Sequence, residues 1–257
     1  MKAAAIQFEF IADEGWHDRL SRMSALVQAQ RGADLVVLPE LWPNGGFTYD
    51  NWRATSQPMS GELVEWMRAT ASAVGCLLHA GSFVESHDDG SLTNTSLLLD
   101  RDGATLAAYR KVHLFGFGEG EPVLMSAGDE VTTVKTEWGT IGLSTCYDLR
   151  FPELYRKLTD AGAELVLVPA AWPAARVEHW TVLTRARAIE NQCFVVAVNT
   201  AGTHGGKLMG GHSLVVDPVG TVLAEAGVTE QSLTAELDLA KVGRWRADFP
   251  VLDDRRL

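Results

Sequence analysis

Three residues of this chain have the side-chain chemistry of a nucleophile, a base and a cation, and each stands where an apolar run gives way to a polar turn. Cys146 follows Ile141-Gly142-Leu143-Ser144-Thr145 within the stretch GTIGLSTCYDLRFPE (139–153), Glu40 follows Leu38-Pro39, and Lys111 follows Tyr109-Arg110. Strand, sharp turn and helix start present a nucleophile at a sheet edge, because the first turn of a helix leaves backbone N–H groups unpaired beside it. A thiol of ordinary pKa, about 8.5, is only a few per cent thiolate at neutral pH and needs a base or a nearby positive charge. Glu40 can take the thiol proton where burial or a second carboxylate raises its pKa. Lys111 and the backbone N–H of Tyr147 would then face the oxyanion of a tetrahedral intermediate, where such a donor is typically worth ~3–4 kcal/mol of barrier. Taken singly, each residue also has a plain structural explanation: Cys146 as a core thiol, Glu40 as a capping or solvated carboxylate, Lys111 as a strand-end charge.

For the three to meet, strands must deliver them to one edge, since ligands of open α/β sheets bind beyond the carboxyl ends of the strands. Strands are expected at 3–8, 34–38, 76–84, 93–99, 105–110, 131–136, 141–145, 164–168, 193–199, 212–216, 221–224 and 233–237, from apolar runs too short for helices. Helices are expected at 17–31, where Leu20, Met23, Leu26 and Val27 keep helical spacing up to Gly32, and at 62–74, 152–160 and 178–191. Asp100-Arg101-Asp102-Gly103 reads as a hairpin turn, and so does the Gly-rich stretch around Gly205-Gly206, which lacks the strand–helix context of a phosphate cradle. GADLVVLPE (32–40) and GAELVLVPA (162–170) repeat a glycine stop, an acidic residue, an apolar run and a proline, which suggests a duplicated β-α-β unit. No linker or low-complexity segment divides the chain, so 1–257 is expected to be a single α/β domain that ends in a charged tail.

The totals exclude several classes. A net charge of −11 argues against a nucleic-acid or anionic-membrane partner, which would call for a basic surface. Met1-Lys2 leads straight into strand-like residues with no apolar leader, and no later run reaches membrane-spanning length, so a cytoplasmic protein is expected. Cys76, Cys146 and Cys193 form no paired framework, which fits a reducing compartment. The seven histidines show no metal-ligand spacing, so no metal and no cofactor is expected.

The motifs LPE (38–40), YRKVHLF (109–115) and CYDLRFPEL (146–154), in that order, resemble those of the nitrilase superfamily of carbon–nitrogen hydrolases. The likeness continues through LVLVPAAWP (165–173), His179-Trp180, RARAIENQCFVVAVN (185–199) and GHSLVVDPVGTVLA (211–224). The resemblance implies an α-β-β-α sandwich, two mixed sheets flanked by helices, that pairs through its helical layer as a homodimer. It implies a Glu40, Lys111 and Cys146 triad, with an assisting glutamate between the lysine and cysteine motifs. Glu121 fits the family's spacing to Ala127-Gly128, and Glu119 lies two residues away as the alternative. His113 is expected to be structural, and Asp148, Arg150 and Glu153 to hold the turn after Cys146.

Residues 171–176 look most similar to small amidases that act on omega-amides of 2-oxo acids. Trp172 would then wall the acyl pocket, beside Tyr147, and Arg176 would pair with a substrate carboxylate. The implied reaction is hydrolysis of a small-molecule amide such as 2-oxoglutaramate through a thioester. Deaminated-glutathione amidases, N-carbamoyl amino acid amidohydrolases and nitrilases share the triad and are the competing readings. A non-catalytic binding member would have no need to retain all three triad residues.

Overall fold

Two apolar runs that nearly copy each other in sequence take the same place in two sheets. The structure, a computed structural model, describes residues 1–256. Its first half runs β1 (Lys2–Gln7), β2 (Glu9–Phe10), α1 (Trp16–Gln28), β3 (Leu35–Val37), α2 (Tyr49–Thr55), α3 (Glu62–Val74), β4 (Leu77–Ser86), β5 (Leu92–Leu99) and β6 (Thr105–Arg110). The second runs α4 (Glu121–Leu124), β7 (Thr133–Thr136), β8 (Gly139–Leu143), α5 (Pro152–Asp160), β9 (Leu165–Pro169), α6 (Val177–Asn191), β10 (Phe194–Val198), β11 (Ala201–His204), β12 (Lys207–Leu208), β13 (Leu214–Val216), β14 (Val222–Glu225), β15 (Gln231–Glu236) and α7 (Ala240–Asp248). Short 3₁₀ turns lie at Cys146–Arg150 and Ala174–Arg176.

One six-stranded sheet has the order β15-β1-β3-β4-β5-β6 and the other the order β14-β13-β10-β9-β8-β7. In the first, β1, β3 and β4 are parallel and β5 and β6 follow antiparallel. In the second, β8, β9 and β10 are parallel and β13 and β14 follow antiparallel. The two halves therefore have one topology, and β3 and β9, from the paired stretches 32–40 and 162–170, hold the same position in it. Gly32 and Gly162 precede them with the same φ of 91°, a left-handed conformation open to glycine at no steric cost.

Side-chain alternation along these strands builds the layers. Ala3, Ala5, Leu35 and Val37 of the first sheet meet Leu143, Leu165, Leu167 and Val196 of the second. Their neighbours Ala4, Ile6, Val36 and Leu78 turn the other way, onto Met23 and Val27 of α1 and Leu63 and Met67 of α3. Val166, Val168, Val195 and Ala197 pack on the far side against Leu154 and Leu158 of α5 and Trp180 of α6. The result is the expected α-β-β-α sandwich. Both faces of each central strand are apolar because both are covered, at about 1.5–3 kcal/mol for each fully buried large side chain.

Some elements differ from expectation. The helix expected to reach residue 31 ends at Gln28, and residues 49–55, expected in a loop, form α2 around the buried Trp52. The charged tail contains α7, whose helical period is faint in sequence because Val242 is its single buried residue. The glycines 205 and 206 turn the β11–β12 hairpin, as expected. Among the described residues no helix is long and apolar enough to cross a membrane.

Candidate active site

Cys146 opens the 3₁₀ turn after β8 with φ 48°, a conformation that costs a non-glycine residue energy and must be held by its surroundings. The holder is Asp148, which is fully buried. Its Oδ2 accepts from Thr145 N at 2.8 Å and Tyr109 Oη at 2.6 Å, and its Oδ1 from His113 N at 2.9 Å. His113 Nδ1 lies 2.7 Å from the same Oδ1, and its ring stacks on Phe151 at 3.8 Å. His113 and Asp148 thus serve the turn, in line with the sequence reading. Glu153 is exposed.

Glu40, one residue past Leu38-Pro39 at the end of β3, is 2% exposed. Its Oε2 accepts from Ala171 N at 2.8 Å, and that amide lies just past Pro169, at the matching end of β9. Each duplicated strand end therefore supplies one side of this contact. Lys111, just past β6, is 1% exposed and donates from Nζ to Glu40 Oε1 at 2.8 Å and to Glu121 Oε1 and Oε2 at 3.0 and 2.8 Å. Glu121, first residue of α4, also accepts from Phe115 N at 2.6 Å. Glu119 is exposed, so of the two candidate glutamates it is Glu121 that reaches the lysine.

Electrostatics follow from this burial. Desolvation works to lower the Lys111 pKa, but the Glu121 and Glu40 charges carry it well above the usual lysine value, and the ammonium is retained. Desolvation raises Glu121 against the pull of Lys111, and the Glu40 charge adds to the rise. Burial first, and then the Glu40 carboxylate, push the Cys146 thiol well above its ordinary range, with Lys111 opposing. Burial thus favours the neutral thiol, and attack requires that its proton move as the bond forms.

Cys146, Glu40, Lys111 and Glu121 line one pocket. Phe47, Tyr49, Trp52, Phe115, Tyr147 and Trp172 wall it, so the predicted Tyr147 and Trp172 both reach it. Arg176 lines it too, its guanidinium 5.4 Å over the Phe115 ring. Arg150, expected to be scaffold, instead lines the pocket, 4.7 Å over the Trp172 ring. It closes the 3₁₀ segment that Cys146 opens, so the strand-end argument that found the cysteine could have placed it. The wall at Gly46 has no room for a side chain, since a Cβ there would lie 2.5 Å from Ala171 Cβ, and its N–H donates to the buried His204 Nδ1 at 2.9 Å.

Asn94 also escaped the sequence reading: its Nδ2 lies 2.9 Å from Glu40 Oε1 and 2.6 Å from Glu121 Oε1. The available signal was faint, because Asn94 stands in the polar half of β5 among Thr93, Thr95 and Ser96. Among the described residues no three His, Cys, Asp or Glu side chains gather as a metal site. The arrangement can attack a carbonyl with sulfur, move the sulfur's proton through a carboxylate and offer fixed positive charge to an oxyanion.

A family model described as carbon-nitrogen hydrolase matches residues 2–247. A 2-oxoglutaramate amidase from Paenarthrobacter nicotinovorans is 45% identical over 263 residues, covering 100% of this chain and 90% of that protein. A deaminated glutathione amidase from Bos taurus is 36% identical over 89% of this chain and 74% of its own length. A solved structure from Xanthomonas campestris, a CN-hydrolase superfamily protein with an arsenic adduct in its active site, superposes with a TM-score of 0.91 at 33% identity, covering 100% of this chain and 97% of that one.

Proposed function

This chain belongs to the carbon–nitrogen hydrolase family, and we propose that it is a cysteine amidohydrolase that cleaves an omega-amide of a 2-oxo dicarboxylic acid, 2-oxoglutaramate foremost, to the acid and ammonia. The observation that carries this reading is the buried Lys111 clasped between Glu40 and Glu121 in the pocket that Cys146 also lines, with guanidinium groups on its wall.

Cys146 Sγ attacks the amide carbonyl as Glu40 takes the thiol proton. The oxyanion faces the Lys111 charge and the Tyr147 N–H, which are fixed before the reaction and so need no reorganisation. Glu40 returns the proton to the amide nitrogen, the C–N bond breaks, and ammonia departs from a thioester. Water then attacks the thioester carbonyl, Glu40 takes the water's proton, the C–S bond breaks, and the proton returns to sulfur as the acid leaves. Glu121 keeps Lys111 charged and in place throughout. No metal or cofactor enters any step.

Arg150 and Arg176 suit the carboxylate at the far end of such a substrate, because a guanidinium binds a carboxylate through paired N–H groups. The aromatic walls enclose the short carbon chain between the two ends, and the relative at 45% identity bears the name 2-oxoglutaramate amidase. The whole chain, 1–257, acts as one catalytic domain in the cytoplasm. Val182 and Ile189, exposed on α6, suit burial against a second copy in a homodimer.

The test is ammonia release across a panel of 2-oxoglutaramate, deaminated glutathione, N-carbamoyl amino acids and simple nitriles. Turnover of 2-oxoglutaramate above the rest, absent in Cys146→Ala, is the expected result. Preference for deaminated glutathione would overturn the substrate, and a Cys146→Ala variant as active as the parent would overturn the mechanism.

A further inference from the structure

The buried charges around Lys111 do not balance. Two carboxylates, Glu40 and Glu121, share one ammonium, leaving one negative charge in excess at a place almost closed to water. An uncompensated buried carboxylate ordinarily takes up a proton. Were that carboxylate Glu40, the proton acceptor for Cys146 would be lost.

Asn94 supplies the missing donors without adding a titratable group. Glu40 Oε1 accepts from Lys111 Nζ at 2.8 Å and Asn94 Nδ2 at 2.9 Å, and Glu121 Oε1 accepts from the same two nitrogens at 3.0 and 2.6 Å. The four atoms close a ring in which donors and acceptors alternate. The amide can sit only one way, since a flip would set its oxygen against two carboxylates. Asn94 Oδ1 is buried with no hydrogen-bond partner among the described residues. The side chain is thus held for its donors while its acceptor goes unused.

The charged and titratable groups around the two carboxylates are Lys111 past β6, Cys146 on its 3₁₀ turn, Tyr49 on α2, Glu119 ahead of α4, and Arg150 and Arg176 on the pocket wall. Among the described residues only Lys111 and Asn94 donate to either Oε1. Glu40 Oε1 is occupied twice and Oε2 once, by Ala171 N at 2.8 Å, so the lone pair left for the sulfur's proton is on Oε2.

We propose that Asn94 is a positioning residue for the amidase reaction: with Lys111 it supplies the donors that favour the charged form of the Glu40–Glu121 pair, and it leaves Glu40 Oε2 as the oxygen for the Cys146 proton. Asn94 does not line the pocket, so its effect falls on the chemical step and not on substrate binding. The inference rests on the reading of Glu40 as the proton acceptor.

The experiment compares the pH profile of kcat/KM for 2-oxoglutaramate in the parent, in Asn94→Leu, which keeps the volume without donors, and in Asn94→Ser, which is smaller and can donate once. The acidic limb should move up by about one pH unit in Asn94→Leu, a tenfold loss at pH values below it, and by less in Asn94→Ser, with KM within about twofold of the parent. The pH dependence of Cys146 alkylation by iodoacetamide needs no turnover and should shift in the same direction. Folded variants whose acidic limb and alkylation profile coincide with the parent's would overturn the proposal, even if kcat fell. A parent without amide turnover would overturn the functional reading instead, and the alkylation profile would still decide the role of Asn94.

Discussion

Replacing Asp148 by asparagine should destabilise the fold by several kcal/mol and disarm Cys146, although Asp148 lies outside the pocket. The carboxylate is fully buried and faces four donors: Thr145 N and Tyr109 Oη on one oxygen, His113 N and His113 Nδ1 on the other. An amide has one oxygen, so whichever way it turns its NH₂ meets one backbone N–H, of Thr145 or of His113, that can only donate. One hydrogen bond to a charged acceptor is lost, at about 1.5–3 kcal/mol, and the others weaken as the charge goes, for a total of about 2–4 kcal/mol. A domain of this kind is stable by only ~5–15 kcal/mol. Thr145 N is the amide immediately before Cys146, so weakening its bond also loosens the left-handed turn that aims the sulfur, and kcat should fall about tenfold. Urea unfolding followed by circular dichroism at pH 7 gives the first quantity, and ammonia release from the folded fraction the second. Tyr109→Phe removes one donor and leaves Asp148 three, so it should cost about 1–2 kcal/mol and spare most activity. Asp148→Asn within about 1 kcal/mol of the parent, with normal kcat, would refute the idea that this carboxylate holds the turn.

Gly46→Ala places a methyl 2.5 Å from Ala171 Cβ, next to the amide that holds Glu40, and neither backbone can retreat freely. It should destabilise by about 1–3 kcal/mol and lower kcat, and an unchanged melting temperature with unchanged kcat would count against the close approach. The buried His79 and His204 are held by desolvation near a pKa of about 3, below the ordinary histidine value. Below pH 6.5 the unfolded chain therefore binds protons the folded chain refuses, so the stability these groups confer is complete above pH 6.5 and is lost as pH falls toward 3. Between pH 6.5 and 5 each accounts for a loss of about 2 kcal/mol. Urea titrations at pH 7 and pH 5 should show His79→Leu losing about 2 kcal/mol less than the parent, and equal losses would contradict the burial argument.

Much of the scaffold was legible because it is written in local pattern. The runs at 34–38 and 164–168 are too apolar and too short for anything but covered strands, and helices 62–74 and 152–160 carry their own periods and stops. The same locality explains what was hidden. Tyr49–Thr55 and Ala240–Asp248 each bury one side chain, so no stripe betrayed them. Arg150 was read as scaffold because a charge at a helix start usually is, and only the pocket shows which way its guanidinium lies.

By itself the sequence determined that Glu40, Lys111 and Cys146 stand at strand ends, because apolar alternation, glycine stops and turn residues act over a few neighbours. The choice of Glu121 over Glu119, the entry of Asn94 into the Lys111 ring and the meeting of an amide past β9 with a carboxylate past β3 were decided by the tertiary structure. Those contacts join residues from 10 to 131 positions apart. They exist only because two sheets of like topology pack face to face with their strand ends at one site, and no local pattern carries that information.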